Sequence, residues 1–228
     1  MDQWWNDLAF IHWPVEPASV VRFFPPGTRP DVWSDGQTYV ALVPFAMRRA
    51  GFGRGLPVPY FGSFLETNIR LYSVDDAGRH GVLFRSLEAA RFAIVPFARI
   101  GFGMPYTWAR MSLDATSRRD GDVVTYDSVR RWPRRGLRSR LSLRLGEVVE
   151  PTPLETWLTS RWGAHSRVAG RTVWVPNEHA PWPLREASLL ELDDDLLAAS
   201  GVRAAGVPLR ALWSPGVRAR FGRPSLVR

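Results

Sequence analysis

Four polar side chains alternate with apolar ones in residues 64–74, FLETNIRLYSV. Glu66, Asn68, Arg70 and Tyr72 fall at every second position, with Leu65, Ile69 and Leu71 between them. A period of two is that of a β-strand, and it sorts side chains onto opposite faces. The face of Leu65, Ile69 and Leu71 belongs to a core. The role of the other face depends on what it looks at. Turned to water, it is the solvated side of an edge strand. Enclosed, it is a ligand site. Residues four apart on a strand stand about 13 Å from one another, so Glu66 and Arg70 do not neutralise each other directly. An unpaired interior charge is costly, so such a face would close around something polar. Arg70 would grip a carboxylate through two parallel N–H bonds. Glu66 would serve as general acid or base once burial raised its pKa. Asn68 and Tyr72 would orient the ligand or polarise a carbonyl.

Other chemistry-bearing residues are sparser. His12 lies in FIHWPV and His179 in NEHAPWPL. With Glu178 they have the composition of a two-histidine, one-carboxylate metal set. The chain has only 4 histidines and no HExxH spacing, so a structural imidazole is the simpler reading. His12 and His179 are kept instead as residues that line a small-molecule pocket. No metal and no cofactor is expected. GFGRG, residues 51–55, lacks the ending of a phosphate-binding loop and the strand–helix context of a dinucleotide site. No GxSxG elbow occurs and there is no cysteine, which leaves a serine or thiol hydrolase little support. Residues 118–144 hold nine arginines, with Trp132 among them. Such a surface could meet an acidic partner or stack a nucleic-acid base. Arginine clustering alone satisfies only the first criterion for a nucleic-acid binder, and much of it falls on the outward phase of a strand.

Composition bounds these readings. With 228 residues, 45% hydrophobic and 23% charged, the chain can bury one sizeable core. All 30 basic residues are arginine and the net charge is +8. An arginine-only, Ala/Gly/Pro-rich chain reads as high-GC codon bias before it reads as a nucleic-acid footprint. The missing lysine removes every mechanism that needs a side-chain Schiff base. No apolar run approaches the roughly 18 residues of a membrane span. MDQWWNDLAF shows no signal-peptide pattern, and the absence of cysteine suits a reducing compartment. A cytoplasmic location is therefore expected.

The elements that must position the candidates follow from local patterns. The opening WWNDLAFIHWPV is aromatic and apolar. EPASVVRFFPPG is a short turn of structure stopped by prolines and glycine. QTYVALVPFAM, residues 37–47, is a strand. RRAGFGRGLPVPYFG, residues 48–62, is a loop whose length suggests a flap. DDAGRHG turns the focal strand back into VLFRSL as a hairpin. EAARFAIVPFARIGF, residues 88–102, has helical spacing broken at Pro96. MPYTWARMSL, VVTYDSVRRW and LRSRLSLRLGEVV are strands. In the last, Leu141, Leu143 and Leu145 face one way, and Arg138, Arg140, Ser142 and Arg144 the other. TPLETWLTSRWG is a helix with Thr152 as N-cap, Pro153 at N1, Glu155 at N3 and Gly163 at its end. RTVWVPNEHAPWPL is a strand leading into a proline-rich corner. ASLLELDDDLLAASGV reads as a short helix stopped by Gly201, and PLRALWSPGVRARFG as one or two strands.

Six of these motifs occur in a characteristic order: LAFIHWPV, FLETNIRLYSV, GVLFRSLEA, MPYTWARM, LETWLTSRW and NEHAPWPLREA. Together they resemble the YqjF-like family, a bacterial group of uncharacterised proteins, over about residues 3–220. That family is similar in fold to acetoacetate decarboxylase. The resemblance implies a mainly β (α+β) fold, an antiparallel β-barrel or cone with two or three peripheral helices, in one domain over residues 1–228. It also implies that the polar face of the focal strand lines an internal pocket, with Glu66 as the pocket carboxylate and Arg70, less firmly, as the carboxylate anchor. Arg85 and Tyr106 join as lining residues on motif membership and strand phase. The decarboxylase's Schiff-base lysine has no counterpart here. The resemblance therefore carries fold and pocket, not reaction. The expected partner is a small anionic carboxylate or carbonyl compound, not a membrane or nucleic acid. The alternative is an interaction protein using residues 118–144, and a third reading is a pocket that only holds water.

Overall fold

Runs rich in β-branched, aromatic and leucine residues, punctuated by glycine, proline and aspartate, produce a chain made largely of strands. The computed structural model describes residues 2–51, 62–115, 117–204 and 206–227. In chain order the elements are β1 (Asp2–Val15), α1 (Pro17–Val20), a 3-10 turn (Val21–Phe23), β2 (Thr28–Pro30), β3 (Thr38–Gly51), β4 (Phe64–Asp75), β5 (His80–Ala89) and α2 (Ile94–Phe102). There follow β6 (Tyr106–Ala115), β7 (Val123–Trp132), β8 (Arg138–Val148), α3 (Pro153–Thr159), β9 (Gly163–Val168) and β10 (Arg171–His179). The last elements are β11 (Arg185–Asp194), α4 (Leu196–Ala199), β12 (Ala211–Phe221) and β13 (Ser225–Leu226).

All thirteen strands join one sheet, ordered β13-β10-β9-β5-β6-β7-β8-β11-β12-β1-β3-β4-β2, with further pairings β4–β5 and β10–β12. Most neighbours are antiparallel; β5 runs parallel to β6 and to β9. Because β4 also pairs with β5, the sheet returns on itself. The wall β1–β3–β4 therefore has protein on both sides. One face sends Ile11, Leu42, Ile69 and Leu71 into a core with Leu141, Leu143, Leu145 and Trp213. The other face sends Phe10, Ala41, Val43, Phe45 and Tyr72 into a second cluster.

Three elements differ from the sequence expectation. β5 continues through Ala89, and only Ile94–Phe102 is helical. Pro96 falls in the first turn of α2, where backbone N–H groups have no intrahelical acceptor, so it helps start the helix rather than break it. Thr152 and Glu155 form the expected capping box beside Pro153, but α3 ends at Ser160, and Gly163 opens β9. A side chain at Gly163 would strike the Trp174 ring, 2.5 Å from the position of a Cβ. Residues 185–194 are a strand, β11, paired with β8, and the helix after them is one turn. Among the described residues there are four short helices, against the two or three expected. Residues 48–51 of the expected flap continue β3; residues 52–61, with most of GFGRG, lie outside the described residues.

The β4–β5 hairpin is pinned by Asp75, which accepts from the backbone N–H groups of Ala77 and Arg79, both at 3.0 Å, and from Arg79 Nε at 2.6 Å. The arginine-rich stretch is partly consumed inside the protein. Arg118 pairs with Asp7, and Arg140 pairs with Asp127 and Glu191. Arg130 reaches from β7 to Glu88 on β5, its Nε 2.9 Å from Oε2, with Ser86 and Thr107 completing the cluster. Glu88 is fully buried and Arg130 nearly so. Glu88→Ala leaves that guanidinium buried without its counter-charge, and unfolding in urea is expected to show a loss of about 3–5 kcal/mol. The double variant Glu88→Leu/Arg130→Met should recover much of it. A single variant as stable as the wild type would remove this pair from the account.

Candidate functional site

A cavity of about 720 Å³ lies against the second face of the β1–β3–β4 wall. Glu66, Asn68 and Arg70 project into it from β4. Their neighbours on β3 are Phe45, Val43 and Ala41, which supply an apolar flank. Tyr106 at the start of β6, Arg161 just after α3 and His179 at the end of β10 add to the polar lining, with Gln3, Asn177, Thr159 and the exposed Arg223. Much of the remainder is aromatic or aliphatic, including Trp5, Met47, Phe84, Leu87, Phe97 and Trp182.

Glu66 is buried, and the Tyr106 hydroxyl donates to its Oε2 at 2.8 Å. Burial pushes the Glu66 carboxyl up to about 7, against the hydrogen bonds from Tyr106 and Asn68 that favour the carboxylate. Burial and the adjacent Glu66 push the Tyr106 phenol well above its ordinary value, so it remains a donor. A carboxyl poised near neutrality and held by a fixed donor can both accept and return a proton.

Arg70 Nε and Nη2 are buried and have no hydrogen-bond partner among the described residues. Its guanidinium carbon stands 5.5 Å from the Phe10 ring centroid and 5.8 Å from that of Tyr72. Arg161 is buried; its Nη1 donates to Asp31, whereas Nε and Nη2 have no partner among the described residues. Asp31 also accepts from His80 at 2.7 Å. Gln3 Oε1, Trp5 Nε1, Asn68 Oδ1 and Asn177 Oδ1 are unpartnered too, and all belong to cavity-lining residues. Buried polar groups in folded proteins are nearly always satisfied, and these unpartnered atoms gather around one cavity.

The DUF2071 family model, described as an uncharacterized conserved protein, matches residues 2–218. The chain belongs to this family. Within the curated proteins, the uncharacterized protein YqjF of Bacillus subtilis (strain 168) is 31% identical over 190 residues, which cover 82% of this chain and 76% of YqjF. Two solved structures show the same fold at low identity. The enduracididine biosynthesis enzyme MppR, complexed with pyruvate, has a TM-score of 0.68 at 14% identity, covering 100% of this chain and 90% of MppR. An acetoacetate decarboxylase-like enzyme from Sphingomonas wittichii RW1 has a TM-score of 0.66 at 15% identity, covering 100% and 92% of the two chains. The DUF2071 chain thus has an acetoacetate decarboxylase-like fold, mainly β with four helices.

In this DUF2071 protein Glu66, Asn68, Arg70, Tyr106 and His179 share one cavity. Tyr72 and His12 do not line it. They form a buried pair next to Arg70, with His12 Nε2 2.7 Å from the Tyr72 hydroxyl. Burial, then the charges of Arg70 and Arg161, hold the His12 imidazole well below its ordinary value and keep it neutral. His179 donates Nδ1–H to the Ala180 carbonyl at 2.7 Å and sits among Trp5, Trp162 and Trp182. Its neighbour Glu178 pairs with Arg220 instead of approaching either histidine.

Arg85 lies elsewhere. Ile69 pairs with Ser86 and Arg70 with Phe84, so Arg85 is the extra residue of a β-bulge. The bulge switches the phase of β5, and Val82, Phe84 and Leu87 all reach the cavity. Arg85 instead donates to the Ser200 carbonyl at 3.0 Å and packs over Phe23. Strand phase misassigned it because one inserted residue reverses every face beyond it. Arg161 and Asp31 were missed. Arg161 stands in the LETWLTSRW motif, but a residue after a helix end carries no periodic signal.

Glu66 ties stability to pH with a definite sign. Between about pH 4.5 and 7 the folded protein retains a proton that the unfolded chain has released, so stability falls as pH rises through that window. Glu66→Gln removes this dependence. Relative to wild type, the variant should gain about 3 kcal/mol between pH 4 and pH 8, read from urea unfolding at both values. A difference that does not change with pH would mean that Glu66 titrates in the folded protein as it does in the unfolded chain.

Proposed function

We propose that the chain binds a small anionic carboxylate or carbonyl compound in this cavity and exchanges a proton with it through Glu66. Arg70 anchors the ligand carboxylate; Tyr106 and Asn68 hold Glu66 in position. The observation that carries the reading is the unpartnered guanidinium of Arg70 in the same cavity as a carboxyl whose pKa lies near 7. Arg70 is half-buried, and its two buried N–H-bearing nitrogens without a partner are costly unless a ligand supplies one. The likeness to MppR, solved with pyruvate, supports an organic acid as that ligand. The pairing of β4 with β5 supports a sheet curled as a cone around the pocket, in one acetoacetate decarboxylase-like domain. The sequence contains no lysine, so the proposed chemistry is acid–base and forms no side-chain imine.

Thermal unfolding with pyruvate and with acetoacetate tests the binding half. At a hundredfold excess over Kd a ligand adds about 2.7 kcal/mol to the folded state. The melting temperature should rise for wild type and stay unchanged for Arg70→Ala. Equal shifts in both proteins would remove Arg70 as the anchor. Exchange of the ligand's α-hydrogens into deuterium oxide, followed by proton NMR, tests the proton-transfer half. Glu66→Gln should retain the thermal shift and lose the exchange. Equal exchange in both proteins would take that role from Glu66. Borohydride treatment in the presence of pyruvate should leave the protein mass unchanged.

A further inference from the structure

We propose that the ligand is a monocarboxylate with an extended apolar or aromatic body, its carboxylate on Arg70 beside Arg161 and its body along Phe45, Met47, Phe84 and Met104. This rests on the reading of Arg70 as a carboxylate anchor and goes beyond it to the class of acid. Three observations lead there.

The first is the distribution of charge. Three arginines line the cavity; Arg223 is exposed, and the guanidinium carbons of Arg70 and Arg161 stand 5.8 and 4.7 Å from the Tyr72 ring centroid. Arg161 already has Asp31 as its counter-charge. Arg70 has unpartnered N–H groups and no such partner among the described residues. The balance calls for one anionic group. A second carboxylate placed inside the cavity, short of the exposed Arg223, would lie among apolar side chains, where an unpaired charge is unfavourable.

The second is the order of side chains along the wall. From Arg70 the cavity face of β4 runs through Asn68 and Glu66 to Phe64. Across β3 the register places Val43 beside Asn68, Phe45 beside Glu66 and Met47 beside Phe64. On β3 and β4 the polar groups are therefore concentrated toward Arg70, and the cavity face of these two strands beyond Glu66 is apolar, with Gln3 of β1 as the polar neighbour at that end.

The third is size. The cavity of about 720 Å³ equals the liquid volume of roughly two dozen waters, and an acid of six heavy atoms such as pyruvate would occupy only about a quarter of it. Apolar walls left without contact forfeit dispersion attraction, and a body of eight or more carbons would restore it. Sites of this volume and lining hold drug-sized ligands by apolar contact and orient them with a few polar groups.

Calorimetric titration of the full chain with butanoate, hexanoate, octanoate, octanedioate, octan-1-ol and pyruvate tests the proposal. Kd should fall about fourfold for each added methylene from butanoate to octanoate. Octanoate should bind more tightly than octan-1-ol and octanedioate. In Arg70→Met, which keeps an unbranched apolar stem without the guanidinium, the preference for octanoate over octan-1-ol should disappear. Pyruvate binding together with a flat series from butanoate to octanoate would overturn the extended body and leave the anchor standing. Equal affinity of wild type for octanoate and octan-1-ol, unchanged in Arg70→Met, would overturn both. No binding by any of the acids would do the same.

Discussion

The wall of β1, β3 and β4 is buried on both of its faces, and every charge carried by those strands must therefore find a partner, change its protonation state or wait for a ligand. Each solution occurs. Asp75 collects the N–H groups of its own hairpin and the Arg79 side chain. Asp7 is met by Arg118. His12 is held neutral against the Tyr72 hydroxyl. Glu66 is raised to about 7 and receives a hydrogen bond from Tyr106. Arg70 alone of this group has buried N–H groups with nothing to bond among the described residues.

That constraint also explains the electrical character of the cavity. Burial depresses both His12 and His179; the charges of Arg70 and Arg161 add to this at His12, and that of Arg70 at His179. The two imidazoles lining or backing the site are thus uncharged hydrogen-bonding groups and not further cations. Within the candidate site, Glu66 is the acidic residue, and its environment brings its pKa close to neutrality. An anion would be drawn to Arg70, while a group able to exchange a proton lies on the same strand face.

The same scaffold is present in the pyruvate complex of MppR at 14% identity. The fold is shared with the acetoacetate decarboxylase-like enzyme at 15% identity, and this sequence contains no lysine. Fold and reaction are separable because the sheet depends on alternation and backbone pairing, and the reaction depends on a few inward side chains.

Local patterning was legible wherever one physical requirement acted within a few residues. The alternation of residues 64–74 made β4, and that of residues 137–149 made β8, with Leu141, Leu143 and Leu145 buried. The Thr152–Glu155 capping box started α3. Glu66, Asn68 and Arg70 emerged as one polar face because side chains two apart must share a side of a strand. Tertiary structure decided the rest. Whether that face met water or protein depended on pairings between distant parts of the chain, such as β1 with β12, which no local pattern encodes. Arg85 left the site because a single bulge reversed the phase of β5. Residues 185–194, helical by composition, became a strand because β8 offered an edge to pair with. Arg161 entered the cavity from the far side of a helix end, held by Asp31 from a distant part of the chain. Residue order determined which groups could act together on one strand; only the closing of the sheet determined what they face.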